Sequence, residues 1–131
     1  MRPKIFIAII AFYVAVASFA VCSPDSFAGD DFSEKYHAYQ NDVSAGKSAL
    51  DKKDYVSAIN HLTNAISASP FDASHYYDRG VAHYKSGKDT EAIADFDKVL
   101  MIDNRRIGAY VYRGICKERS GQYADALKDY T

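Results

Sequence analysis

Three stretches of this chain lie on one another without a gap at an offset of 34 residues. Gly46, Gly80 and Gly114 are spaced that way, and so are Ala58, Ala92 and Ala126. The rows run 39–72, 73–106 and 107–131, the last one incomplete. The second and third also share Tyr76/Tyr110, Arg79/Arg113, Ser86/Ser120, Gly87/Gly121 and Asp95/Asp129. Self-similarity at a fixed period of roughly 20–50 residues marks a unit that cannot bury its own apolar face. Such units stack, and the stack makes one continuous core.

Each row divides into two helices. Apolar residues recur at helical spacing in the second half, as Ala58, Ile59, Leu62, Ala65, Ile66 and again as Ala92, Ile93, Phe96, Val99, Leu100. Gly87 and Gly121 suit the positive φ of a helix C-terminus. Asp54 and Asp89 are expected to cap the helices that follow, and Glu91 and Asp125 suit a first turn. Pro70 stops the first pair. Helices are therefore predicted near 31–52, 55–68, 73–86, 89–102, 107–120 and 123–131, with residues 29–38 a lead-in that extends the first. No strand signal is present, and the fold class is all-α.

Gly80 and Gly114 fall inside helices, where Gly costs about 1 kcal/mol relative to Ala. That cost is tolerated where a neighbouring helix comes too close for a side chain. Ala58, Ala92 and Ala126 meet the same need from the partner helix, and Tyr76, Phe96, Tyr110 and Tyr130 are expected to fill the space between pairs.

A helix-turn-helix of 34 residues, with an aromatic, Gly four places on, Ala twelve further and an aromatic four after that, resembles the tetratricopeptide repeat. The first aromatic place holds Tyr76 and Tyr110, with Asp42 in the first row; the Gly and Ala places are filled in all three; the second aromatic place holds Leu62, Phe96 and Tyr130. The resemblance implies an α-solenoid of about two and a half repeats wound as a right-handed superhelix. It implies a concave groove, lined by the first helix of each row, that holds an extended peptide or a helix. On this sequence the groove positions are Val43, Lys47, Tyr77, Val81, Tyr84, Lys85, Tyr112, Ile115 and Arg119, and tyrosines there have the composition of interface hot spots. One subclass of the family grips acidic C-terminal tails from this face. Val43, Asp78, Gly108 and Tyr112 stand where that subclass has polar or basic residues, and only Lys47 fits.

The segment before the array has another character. Arg2 and Lys4 are followed by 17 uncharged residues, Ile5–Val21, then Pro24 and Ser26-Phe27-Ala28. A basic start, an apolar run and a small-residue cleavage site in that order read as a cleavable signal peptide over 1–28. As a helix the run spans about 25 Å, short of the roughly 30 Å of bilayer hydrocarbon. The expected address is secreted or periplasmic; the alternative is a membrane anchor formed by residues 5–21. Phe19-Ala20-Val21-Cys22 departs from a lipoprotein signal at two of its three places before the Cys.

Lys and Arg total 16 against 17 Asp and Glu, without the basic excess of a bare nucleic-acid binder. No phosphate-binding glycine loop, HExxH or CxxC is present. His37, His61, His75 and His83 are scattered; His75 and His83 share a helix face without a third ligand. Cys116, beside Lys117 and Arg119, reads as a packed thiol. Arg79 and Arg113 can lay their stems on the packing face while their heads reach Asp95 and Asp129. The residues thus point to no catalytic centre, metal or cofactor. They point to a protein-interaction adaptor of the secretory or periplasmic compartment with a protein or peptide partner, and membrane contact only if the first segment is retained. Two rivals stand beside it: homotypic assembly through the incomplete third repeat, and an accessory N-terminal region of a longer enzyme continuing past Thr131.

Overall fold

The computed structural model describes residues 29–131, so the expected signal segment, its cleavage site and the 5–21 run lie outside the described residues. Six helices follow: α1 Gly29–Asp51, α2 Tyr55–Ala68, α3 Ala73–Lys85, α4 Asp89–Ile102, α5 Ile107–Arg119 and α6 Tyr123–Tyr130. No strand occurs among the described residues, and none of these helices is long and apolar enough to cross a membrane. Residues 36–131 form one compact unit, in which α2 to α6 each pack on their neighbours in sequence, α3 also touches α5, and α1 meets α2 where Gly46 lies against Leu62.

One turn, used three times, sets the helix breaks. Gly87 and Gly121 take φ near +79° and +78°. The Gly87 N–H donates to Tyr84 O at 3.1 Å and the Lys88 N–H to His83 O at 2.9 Å. Gly121 and Gln122 repeat the pair on Glu118 and Lys117. This is a Schellman closure, which satisfies carbonyls that a helix end leaves open. In the first row Lys53 holds the same place with φ +61°.

The residue that ends each turn is also the N-cap of the next helix. Asp54 fills it well, accepting from the Ser57 N–H at 3.2 Å. Asp89 was expected to do the same and does not. The 34-residue register carries Asp54 onto Lys88, which caps without a side-chain bond, and Asp89 is the first residue of α4. Its carboxylate lies 3.3 Å from Arg119 Nε instead.

The interior follows the small-residue pattern. Ala58, Leu62, Ala92, Phe96, Val99, Ala109 and Cys116 are fully buried. A β-carbon at Gly46 would stand 2.9 Å from Leu62, one at Gly80 2.9 Å from Phe96, and one at Gly114 against the Tyr130 ring. The expected large fillers divide. Phe96 is fully buried and Tyr76 and Tyr110 are half-buried. Tyr130 covers Gly114 with one face but remains 47% exposed, because no described helix packs beyond α6.

The Arg–Asp pairs form as the spacing suggests, and they reach further than expected. Arg79 grips Asp95 through two bonds of 2.9 and 2.6 Å and donates to Thr63 Oγ1 at 3.1 Å. Arg113 grips Asp129 in the same way and reaches Asp97 at 2.6 Å. Thr63 and Asp97 are themselves 34 apart. Each arginine therefore ties its own pair to the second helix of the preceding one.

Candidate binding groove

The first helices of the rows, α1, α3 and α5, carry the groove positions. Tyr77, Val81 and Tyr84 come from α3, Tyr112 and Ile115 from α5, and Val43 from α1; all are half-buried. Lys47, Lys85 and Arg119 are exposed. Helical spacing brings them to one side because residues three and four apart share a face.

The aromatic members meet. Tyr112 stacks on the buried Phe96 at 5.6 Å and 10°, and its other contacts are Tyr77 at 6.1 Å and Tyr84 at 5.2 Å. Such offset and edge contacts fix the rings beyond what area burial alone would do. The Arg106 guanidinium lies 4.6 Å over the Tyr77 ring, and that of Arg119 5.3 Å over Tyr84. These tyrosines therefore serve the packing between α3 and α5 and still present a partly open face.

The charged members divide the groove. Asp78 sits among Lys47, Arg106 and His75, yet burial pushes its carboxyl above the usual range. Burial also pushes the Tyr77 phenol up, with Tyr112 adding to it. Asp72 ends below its usual range: burial pushes it up, but the Ser74 N–H, His75 and Lys47 outweigh that. At the other end, Tyr84, Lys85 and Arg119 edge an open pocket of about 610 Å³.

Val111 lines a second pocket of about 510 Å³ with Ile107, Tyr110 and Tyr130. The two α3 histidines go separate ways: His75 hydrogen-bonds Tyr39 at 2.8 Å, and His83 lies 3.7 Å from Asp95. Cys116 is fully buried, and burial followed by the Asp89 carboxylate pushes its thiol up to about 11. Lys117 is committed to Asp129 at 2.9 Å. Sequence reasoning missed Arg106, which stood at the close of a row; its register mate Asp72, which caps α3, was the available signal that this place faces the groove.

The tetratricopeptide-repeat family profile matches residues 43–107. The rice SGT1 homolog is 39% identical over 83 residues, 63% of this chain and 23% of its own length. The small glutamine-rich tetratricopeptide repeat-containing protein 2 of budding yeast is 33% identical over 85 residues, 65% of this chain and 25% of its own. This chain thus spans about a quarter of the curated relatives it matches. Among solved structures, the Arabidopsis OM64 TPR domain superposes with a TM-score of 0.69 at 27% identity, over 73% of this chain and 79% of that one. The TPR2B domain of yeast Sti1, solved as a complex with an Hsp70 peptide, gives 0.67 at 29%, over 71% and 74%. These relatives overturn the secreted or periplasmic address expected from residues 1–28: the SGT1 homologues and Sti1 are cytosolic proteins.

Proposed function

Because this chain belongs to the tetratricopeptide-repeat family, we propose that it is an adaptor that holds a peptide or helix of a partner protein in the groove of α1, α3 and α5. The observation that carries the reading is the Tyr77–Tyr112–Tyr84 ladder. It is braced from behind by Phe96 and open in front, with Val43, Val81 and Ile115 beside it and Lys47, Lys85 and Arg119 at its edges. A rigid aromatic surface loses little side-chain entropy on binding, which favours recognition by burial. The Sti1 neighbour, solved as a complex with an Hsp70 peptide, supports the same use of the fold.

The test selects peptides from a displayed library with the full chain and measures their affinity for Tyr77→Ala/Ile115→Ala. The dissociation constant is expected to rise about tenfold or more, as for loss of hot-spot side chains, with helicity retained by circular dichroism. An unchanged constant sinks the groove assignment. A second reading, homotypic assembly, is favoured by one observation: Ile107, Leu127 and Tyr130 leave an apolar end face exposed. Mass against concentration, with Ile107→Glu/Leu127→Glu as control, separates the two.

A further inference from the structure

At the turn end of the groove, Lys53, Lys85 and Arg119 converge on one open pocket whose remaining walls are Tyr55, Tyr84 and the Ser86-Gly87 turn. None of the lining residues is acidic. Asp89 stands behind Arg119 at 3.3 Å, and the Arg119 guanidinium lies over the Tyr84 ring, so that cation is held in place. With the Arg119 charge offset by Asp89, Lys53 and Lys85 leave the opening net positive, and a bound anion is attracted there.

Lys53 gives this cluster its meaning. It occupies the place that Gly87 and Gly121 hold in the next two rows, with the same left-handed φ. Its N–H donates to Leu50 O at 3.0 Å and the Asp54 N–H to Ala49 O at 2.9 Å, the same closure that the glycines make. An L side chain disfavours this conformation, and glycine does not. Nothing in the turn needs a lysine. What the lysine adds is a cationic side chain on a residue that lines the pocket, and strain kept at one member of a repeated turn points to use.

We propose that this pocket binds the side-chain carboxylate of an acidic residue in the peptide held by the groove. The proposal rests on the adaptor reading and deepens it. Lys53 and Lys85 act as point charges, while the one rigid fork, Arg119, is already turned to Asp89; that arrangement suits a carboxylate better than the bidentate reading of a phosphate. The pocket lies at the C-terminal ends of the first helices. The bound segment therefore has a direction: its acidic residue lies at the turn end.

Glutarate is the probe, titrated into the full chain and followed through backbone amide shifts. It reads the pocket without any groove ligand, so failure here is separate from failure of the Tyr77→Ala/Ile115→Ala test. Saturable shifts are expected at Lys53, Tyr55, Ser86 and Gly87, weakened roughly fivefold in Lys53→Gln/Lys85→Gln, the loss of about two exposed charge contacts. Lys53→Gly gives the sharper outcome: the melting temperature rises while glutarate binding weakens. Shifts spread evenly over surface lysines, glutarate affinity unchanged in Lys53→Gly, or inorganic phosphate binding more tightly at the same amides would each overturn the proposal.

Discussion

A β-carbon at Gly80 would meet Phe96 at 2.9 Å and Asp95 at 3.2 Å, and both are buried and unable to give way. Gly80→Ala is therefore expected to destabilise by about 1–3 kcal/mol through overpacking, although Ala is the better helix former by about 1 kcal/mol. Gly87 has open space around it and a left-handed φ, so Gly87→Ala costs about 1 kcal/mol through the backbone alone. Lys53→Gly runs the other way and gains a similar amount. Urea unfolding of the three variants orders them. At His83, burial holds the imidazole below its usual range, and Asp95, pulling the other way, does not overcome it. A depressed folded value means that this contribution is intact above the unfolded value near 6.5 and is lost as the pH falls through the folded one. Melting temperatures between pH 7 and 5 should fall more steeply in the wild type than in His83→Gln.

The elements were legible where a period or a turn residue marked them. All six helices lie within about two residues of their predicted bounds, because Gly87, Gly121 and Pro70 punctuate the pattern. The cap at Asp89 was misplaced because acidic residues one register apart look alike in sequence, and only the turn geometry separates a cap from a first residue. Within the candidate site, what the sequence made legible is the meeting of Tyr77, Tyr84 and Tyr112, which helical spacing on α3 and α5 brings to one side; the guanidinium of Arg106 over Tyr77 was not, because it comes from the turn before α5. The three-helix reach of Arg79 and Arg113 was half legible: their own Asp partners follow from spacing, while Thr63 and Asp97 belong to another row. These pairs are unequal. Arg79→Ala leaves Asp95, only 3% exposed, without its main partner and should cost about 3–5 kcal/mol. Arg113→Ala leaves Asp129 still bonded to Lys117 at 2.9 Å and should cost less. Equal losses in denaturant titrations would show that the lysine gives no compensation.

Across the array, cover is graded. Helices α3 and α4 have neighbours on both sides, whereas α6 packs on α5 alone. In solenoids stability is a sum of unit and neighbour terms, so amide exchange should be slowest in α3 and α4, which are covered on both sides. The arginine ties carry a consequence for length. Arg113 meets Asp97 of the row before it, while Arg79 finds only Thr63 there. A duplicated copy of residues 73–106 inserted after the original would bring its own arginine onto Asp97. The added unit would enter the thread in register and trade a hydroxyl contact for an ion pair, so growth by duplication is built into the joint itself.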